Sequence, residues 1–357
     1  MRPVVAALVL IAGLATAPAG TRDAEIAAAI KSRVDAKKSA GMVVATLEPD
    51  GSSSMAAFGN PGPDAKPLDG DSVFEIGSIT KVFTALLLAD MAERGEVKLD
   101  DPVARHLRAG VKVPERNGRA ITLIDLSTQS SGLPRLPDNM KPANPLNPYA
   151  DYSVEQMFEF LGRYQLTRDV GAEFEYSNLG VGLLGQALAM RAGKSYEALV
   201  KERILDPLDM DHTGVTLTPW MQEHLAKGHS PGGMVVPNWD LPAIAGAGAL
   251  RSTMNDMLKF ARANLDSSGG RIPKLLQQTH TVRRPVGKDM SIGMNWLIRS
   301  IDGRDVVWHN GGTGGYRTWI GFDKTRKIAA IVLTNSSGIG NDDLGFELVA
   351  GPTAAPK

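Results

Sequence analysis

Apolar residues cover almost the whole circumference of one predicted helix. The stretch FEIGSITKVFTALLLADMAERG, residues 74–95, places Val82 and its neighbours on one broad side when each residue advances by about 100°. Leu88 and Ala85 close most of the other side, and Lys81 falls between them. A helix that is apolar all round is buried. The pattern therefore places an ammonium group where its burial costs free energy.

Strand patterns occur at both ends of the chain, and helical periodicity dominates the middle. Residues 41–59 predict two strands around a turn, and three β-branched or alternating runs between residues 305 and 335 predict further strands. A sheet built from both chain ends with a helical insertion is the economical architecture, so we expect an α/β (α+β) fold. The corresponding domains are a sheet domain of residues 20–76 and 285–357 and a mainly helical domain of residues 77–284.

Composition and the first 19 residues narrow the class of protein. The 357 residues contain 39 Lys and Arg against 39 Asp and Glu and no Cys, which argues against a nucleic-acid partner and excludes thiol chemistry. Arg2, the apolar run 4–14 and Ala17–Ala19 match a secretory signal peptide cleaved near Ala19. The competing interpretation is a membrane anchor, for which the run is shorter than about 20 residues. We expect an exported, periplasmic or secreted protein with no membrane span after cleavage.

Two serine motifs compete for the role of nucleophile. GHSPG, residues 228–232, satisfies G-x-S-x-G, but the residue after Ser230 is Pro231, which has no N–H to donate to an oxyanion. The segment after it is also not helical by pattern. The alternative is Ser78-x-x-Lys81, in which positions i and i+3 share one helical face. Apolar surroundings would lower the pKa of Lys81 and make it a base, although a structural lysine beside an N-capping serine fits the same letters.

Two further segments carry side chains suited to the same chemistry. Tyr176 and Asn178 lie two residues apart before a predicted helix, so a phenol and a carboxamide could face one cleft. Asn178 as a simple N-cap is the alternative. His309, Gly311 and Gly312 leave a predicted strand, and glycines there let a substrate backbone approach closely. A glycine-rich hairpin is the alternative. With no H-E-x-x-H among six histidines, we expect neither a metal nor a cofactor.

The three motifs, taken in order, resemble the penicillin-recognising serine hydrolases. The most similar branch holds class C β-lactamases, D-alanyl-D-alanine carboxypeptidases and related esterases, and the resemblance spans about Asp23 to Asn335. Flanking stretches such as LDDPVARHL, ITLIDLSTQSSGLP and HNGGTGGYRTWIGFD agree with it. The resemblance implies a β-lactamase/transpeptidase-like fold, an antiparallel sheet flanked by helices plus an all-helical domain, with the active site between them.

The resemblance also implies a role for each motif residue. Ser78 would be the acylated nucleophile, Lys81 its base partner, and Tyr176 the proton shuttle to the leaving group. Asn178 would hold Lys81 or a substrate amide, and His309 and Gly311 would line the substrate strand. The backbone N–H groups of Gly312 and Ser78 would together form the oxyanion hole.

Two positions depart from the family pattern. Class C β-lactamases usually carry lysine where His309 stands, and a histidine with a pKa near 6.5 is only partly charged at pH 7. This favours a peptidase or an esterase over a β-lactamase, unless Arg299 or Arg317 supplies the missing charge. Gln129 stands where relatives often show histidine.

The expected function is hydrolysis of β-lactams or D-Ala-D-Ala peptides through an acyl-enzyme, with a small molecule or a peptidoglycan peptide as substrate. The first alternative is a carboxylesterase with the same machinery. The alternative of another class is a penicillin-binding sensor that does not turn over.

Overall fold

The computed structural model describes residues 19–338 and 340–351, so the predicted signal peptide lies almost wholly outside the described residues. The strands are β1 (Gly41–Leu47), β2 (Ser53–Gly59), β3 (Val73–Glu75), β4 (Glu115–Arg116), β5 (Arg119–Ala120), β6 (Arg251–Thr253), β7 (Arg284–Gly287), β8 (Met290–Ile292), β9 (Leu297–Ile301), β10 (Arg304–Gly312), β11 (Arg317–Asp323) and β12 (Ile328–Thr334). The helices are α1 (Ala19–Asp35), α2 (Thr80–Glu93), α3 (Leu123–Ser127), α4 (Val154–Arg163), α5 (Asn178–Ala192), α6 (Tyr196–Val200), α7 (Pro219–Glu223), α8 (Ala245–Gly248), α9 (Met254–Leu265), α10 (Arg271–Thr279) and α11 (Asp342–Ala350).

An antiparallel sheet of eight strands joins the two ends of the chain. Its order is β2-β1-β12-β11-β10-β9-β8-β7, so the N-terminal hairpin pairs directly with the last strand. All seven residues of β1 and all seven of β12 are buried, which explains why both read as continuous apolar runs. The predicted sheet built from both termini is therefore confirmed.

The two faces of the sheet bury different helices. Successive side chains of a strand point to opposite faces. Val44 and Trp319 pack in a cluster with α1 and α11, whereas Val43 and Ile320 belong to the large core shared with α2, α5 and α9. The sheet is thus covered on both sides, and the helical layer carries the predicted Ser-x-x-Lys segment.

The stretch predicted as one helix from residue 74 is divided in the structure. Residues 73–75 form β3 and pair with β6, and a 3₁₀ turn over Gly77–Ile79 precedes α2. The prediction of a helix from residue 74 was therefore wrong at its first six residues, of which the last three form the 3₁₀ turn. Tertiary pairing of β3 with β6 overrides the local helical pattern there. In the rest of the helix, every residue from Thr80 to Met91 is buried, as the apolar circumference indicates.

Other interpretations of the pattern match the structure closely. The two strands around Asp50 and Gly51 and the helix stopped by Gly193 form where the sequence places them. Gly193 adopts a left-handed conformation with φ of 65°, which glycine takes without steric cost. Within the described residues, no helix combines the length and the apolar character needed to cross a bilayer.

Substituting Gly345 with alanine should destabilise the protein, although alanine normally stabilises a helix relative to glycine by up to about 1 kcal/mol. Gly345 lies in α11, and a Cβ there would collide with the indole of the buried Trp319. The matched control is Gly162→Ala in α4, where a Cβ would have only Lys112 Cβ within reach, at 3.9 Å. Thermal unfolding should show a lower midpoint for Gly345→Ala and an unchanged or higher one for Gly162→Ala. Equal midpoints would contradict this account of the α11 contact.

Candidate active site

Lys81 lies at the centre of a cluster that brings together three distant parts of the chain. Its Nζ is 2.9 Å from Ser78 Oγ, 2.8 Å from Asn178 Oδ1 and 2.6 Å from the carbonyl oxygen of Ala247. Ser78 and Lys81 share a face because the 3₁₀ turn nearly eclipses residues three apart. The side chain of Lys81 has no exposed surface.

The surroundings of Lys81 favour the neutral form of its amine. Burial lowers the pKa of Lys81 well below its usual value of 10.5, and the nearby Arg135 guanidinium lowers it further. A neutral amine has two N–H donors and one lone pair. The Asn178 and Ala247 oxygens can only accept hydrogen bonds, so they take the two N–H groups. In that form the lone pair would accept the third bond from the Ser78 hydroxyl, an orientation suited to a base, whereas an ammonium would donate to the Ser78 oxygen.

Close contact between two backbone segments places the Ser78 turn against β10. Gly77 has a φ of 51°, and a Cβ there would lie only 2.7 Å from the backbone nitrogen of Gly312. A Cβ on Gly311 would collide with the carbonyl oxygen of Ile76, which also accepts a hydrogen bond of 2.9 Å from the hydroxyl of Thr318. Glycines are required at these contacts because the two backbones touch. The Ser78 turn and the end of β10 therefore form two adjoining walls.

Asn178 is free to contact Lys81 because its neighbour caps the helix. The hydroxyl of Ser177 accepts the N–H of Gly180 at 2.8 Å, which makes Ser177 the N-cap of α5. The alternative in which Asn178 is a simple N-cap is therefore wrong. Asn178 is the first helical residue, and its carboxamide oxygen accepts a hydrogen bond from the Lys81 amine.

Tyr176 stands over the same amine. Its ring centroid is 4.8 Å from Lys81 Nζ and 5.1 Å from Cζ of Arg135. Burial raises the pKa of Tyr176 to about 12, and a hydrogen bond with Ser78 opposes this shift only in part. Tyr176 is therefore a phenol at neutral pH and holds a proton that it can donate.

His309 carries no charge at physiological pH. Burial lowers its pKa to about 3, a positive charge on Lys81 would act in the same direction, and the hydrogen bond to the Asn310 carbonyl opposes both. The expectation that this histidine is partly charged at pH 7 was therefore wrong, because it took the pKa of a solvated ring. The Nδ1–H donates to the Asn310 oxygen at 2.6 Å, which leaves Nε2 as the unprotonated nitrogen. The ring centroid of His309 lies 6.3 Å from that of Tyr176.

The two arginines considered as substitutes for a lysine at position 309 lie in different places. Arg299 is exposed, with Cζ 4.9 Å above the ring of Phe346, on the sheet face that packs against α11. Arg317 lies behind Gly312, and its guanidinium donates to the carbonyls of Thr313 and Tyr316. Arg299 is therefore outside the cleft, and Arg317 supports the end of β10 from behind.

Gln129 holds the Tyr176 segment in place, a role that the sequence motifs do not indicate. Its backbone carbonyl accepts the Glu175 N–H at 2.8 Å, and its side-chain oxygen accepts the Ser177 N–H at 2.7 Å. Its amide nitrogen donates to Asn295, whose own amide donates to the Lys81 carbonyl. Gln129 is buried and has a φ of 57°, a conformation that few residues other than glycine adopt. The backbone on both sides of Tyr176 is thus fixed by a single residue.

The GHSPG segment contains none of this machinery. The Ser230 hydroxyl accepts the N–H of Met234 at 3.2 Å and closes a turn. The Nδ1–H of His229 donates to the Asn335 carbonyl at 3.0 Å. The segment after the turn, up to residue 244, is not helical. The arrangement required of a nucleophile elbow, strand then serine then helix, is absent from this described segment.

Replacement of Lys81 by methionine should raise the free energy of unfolding near pH 8. The buried amine is neutral in the native state, whereas the unfolded lysine is protonated below about pH 10.4, so unfolding takes up a proton. The free energy of unfolding of the parent protein therefore decreases as pH falls below the unfolded pKa. The decrease is about 1.36 kcal/mol per pH unit for one proton. Calorimetry in buffers of different ionisation enthalpy measures this uptake. Equal proton uptake by Lys81→Met and the parent protein would contradict a neutral Lys81.

Replacement of His309 by glutamine should flatten the loss of stability between about pH 6.5 and pH 3. In this window native His309 stays neutral while the unfolded ring binds a proton. The depressed native pKa therefore contributes stability that is present above pH 6.5 and is lost as pH falls. The free energy of unfolding should be measured with denaturant at several pH values across this window. Its slope against pH should be smaller in the variant by the equivalent of about one proton. An unchanged slope would show that native His309 is protonated.

Comparisons with known proteins agree with this geometry. The family model described as Beta-lactamase matches residues 26–350. D-alanyl-D-alanine-carboxypeptidase/endopeptidase AmpH of Escherichia coli K12 is 32% identical over 294 residues, covering 78% of this chain and 74% of its own. A Beta-lactamase of the same organism is 24% identical over 310 residues, covering 76% of this chain and 78% of its own.

The solved structures include the same fold. A crystal structure of Beta-lactamase/D-alanine carboxypeptidase from Yersinia pestis, complexed with citrate, superposes with a TM-score of 0.75 at 23% identity. The match covers 89% of this chain and 93% of that one. The expected β-lactamase/transpeptidase-like fold is therefore confirmed. The chain belongs to the beta-lactamase family of penicillin-recognising serine hydrolases.

Proposed function

We propose that this chain is an exported serine acyl hydrolase that forms an acyl-enzyme at Ser78 and acts on D-Ala-D-Ala peptides or β-lactams. The observation that carries the proposal is the buried amine of Lys81, 2.9 Å from the Ser78 hydroxyl and without solvent contact. Its two N–H groups are taken by Asn178 and Ala247, so its lone pair is available for the serine proton.

Acylation then follows from the positions of the side chains. Lys81 accepts the proton of Ser78 as the serine oxygen attacks the substrate carbonyl carbon. The N–H groups of Ser78 and Gly312 stabilise the oxyanion, because the first turn of a helix leaves its N–H groups unpaired and Gly77 lies against Gly312. A donor of this kind contributes about 3 kcal/mol to the transition state.

Tyr176 completes the proton path. Because its raised pKa keeps the phenol protonated, Tyr176 serves as a proton donor and relay rather than as the initial base. Lys81 lies beneath the tyrosine ring and can return the serine proton through the phenol to the leaving group. Hydrolysis of the acyl-enzyme uses the same groups in reverse, with water in place of the leaving group. Asn178 and the β10 residues His309 and Gly311 line the position of the acyl group.

The substrate class follows from the relatives and from His309. The relative at 32% identity is a D-alanyl-D-alanine-carboxypeptidase/endopeptidase, which supports a peptide substrate. A neutral histidine on β10 offers no fixed cation to a substrate carboxylate, which supports a carboxylesterase as the second candidate. Export is proposed from the signal-like residues 1–19, and peptidoglycan peptides would be accessible after export.

Labelling with a fluorescent penicillin and mapping by mass spectrometry should place the adduct on Ser78. Ser78→Ala should lose labelling and hydrolysis of a nitrophenyl ester, a cephalosporin and a D-Ala-D-Ala peptide. The matched control is Ser230→Ala, which removes the serine of GHSPG and should retain both. An adduct on Ser230, or full activity in Ser78→Ala, would overturn the proposal.

The same panel separates the substrate candidates. Turnover of the D-Ala-D-Ala peptide identifies a carboxypeptidase, and rapid cephalosporin turnover identifies a β-lactamase. Turnover of the ester alone identifies a carboxylesterase. A stable adduct with no turnover identifies a sensor.

A further inference from the structure

The wall of the cleft beside Tyr176 carries a cation that the catalytic steps do not use. Arg135 is exposed, and Cζ of its guanidinium lies 5.1 Å from the ring centroid of Tyr176. Its backbone carbonyl accepts the N–H groups of Asn178 and Leu179 at 3.0 and 3.2 Å. Arg135 is therefore fixed to the segment that carries Tyr176 and Asn178, and its guanidinium faces solvent at the mouth of the cleft.

The Arg135 guanidinium has no carboxylate partner among the described residues. Several acidic side chains of neighbouring segments pair with other groups: Asp138 with Arg163, and Glu75 and Asp240 with Arg251. The Glu175 carboxylate pairs with Arg168. An arginine that stacks on an aromatic ring keeps its planar N–H edge available for bidentate binding of a carboxylate.

The other basic groups around Ser78 do not offer a charge to the cleft. Lys81 and His309 are buried, which favours their neutral forms, and Arg317 is half-buried and donates to two backbone carbonyls. Arg135 is the cation that the described cleft presents to solvent. Its charge reaches the cleft: it lowers the pKa of Lys81 and partly opposes the rise that burial causes in the pKa of Tyr149.

Tyr149 extends the same wall toward β10. Its ring stacks edge-on with Trp239 at a centroid separation of 5.1 Å. The indole nitrogen of Trp239 lies 2.6 Å from where a Cβ on Gly314 would stand, just beyond the end of β10. An aromatic rim thus runs from Arg135 to the glycines after β10. A rim of this composition suits an acyl chain with an apolar body and an anionic group at the arginine end.

We infer that Arg135 binds a carboxylate on the acyl portion of the substrate and makes the enzyme selective for acidic acyl donors. We assign the carboxylate to the acyl portion because the backbone carbonyl of Arg135 is hydrogen-bonded to the N–H of Asn178, the residue that lines the acyl group in the proposed mechanism. This inference rests on the proposed acyl-enzyme at Ser78. Arg135 thereby supplies the cleft with the positive charge that His309 does not provide.

Two nitrophenyl esters of equal chain length test the inference. The pentanoate is neutral, and the glutarate half-ester replaces its terminal methyl group with a carboxylate. Arg135→Gln should lower kcat/KM for the glutarate relative to the pentanoate by about tenfold, which corresponds to about 1.4 kcal/mol. Loss of the Arg135 charge also changes the pKa of Lys81, and that change affects both esters. The ratio of the two kcat/KM values is therefore the readout. Arg135→Lys should restore only part of the ratio, since lysine lacks the planar fork.

The matched control is Arg299→Gln. It removes another exposed guanidinium that stacks on an aromatic ring, on the opposite face of the sheet, and should leave the ratio unchanged. A second measurement uses the parent protein alone. Raising salt from about 20 mM to about 500 mM should lower the glutarate-to-pentanoate ratio, because the ion pair is exposed to screening.

The outcomes separate this inference from the proposed function. If both esters need Ser78 but the ratio is the same in Arg135→Gln and in the parent protein, the carboxylate site is wrong and the acyl-enzyme stands. If Ser78→Ala still hydrolyses the esters, the proposed function itself is wrong. If Arg135→Gln does not fold, the salt dependence decides, and a ratio that is independent of salt overturns the inference.

Discussion

The site depends on the removal of one amine from water. Burial in the core of the helical layer disfavours the protonated form of Lys81, and loss of that proton at neutral pH costs free energy. Hydrogen bonds from three separate segments offset part of the cost: the turn before α2, the start of α5, and α8. These segments meet only when the helical layer is assembled. The proposed base is therefore a property of the whole fold, and no isolated helix with the same residues would have it.

A second constraint joins the helical layer to the sheet. Gly77 and Gly311 lie where a Cβ would overlap the opposing backbone, so the Ser78 turn and β10 are in main-chain contact. Thr318 locks this contact through the Ile76 carbonyl, and Ile76 also donates its N–H to Leu250 ahead of α9. The start of the turn thus lies against the end of β10 at a separation fixed by backbone contact. The free-energy cost of orienting these backbone segments is met when the protein folds, so no reorganisation is needed when substrate binds.

The sequence predicted the parts of this site that depend on local order. Ser78 and Lys81 are three residues apart on one turn, and the strands after residue 304 are β-branched or alternating runs, so pattern alone could locate them. Ala247, Gln129 and Arg135 act through contacts across more than forty residues, and no local pattern encodes such pairs. The helix predicted from residue 74 begins only at Thr80 for the same reason, because β3 pairs with a strand far along the chain. The charge of His309 was missed because it depends on burial, which a motif does not record.

Burial favours the uncharged forms of the groups around Ser78, and this shapes the energetics of the proposed reaction. It lowers the pKa values of Lys81 and His309 and raises that of Tyr176. Charge therefore appears only as a pair, when the serine proton reaches Lys81 and the oxyanion forms beside it. In a site of low dielectric this attraction is strong, and no surrounding water has to reorganise. Arg135 acts on the same pair from the rim: it disfavours the ammonium and attracts the anion. A cation closer to Lys81, such as a lysine at position 309, would change this balance, so the neutral histidine and the distant arginine form one electrostatic arrangement.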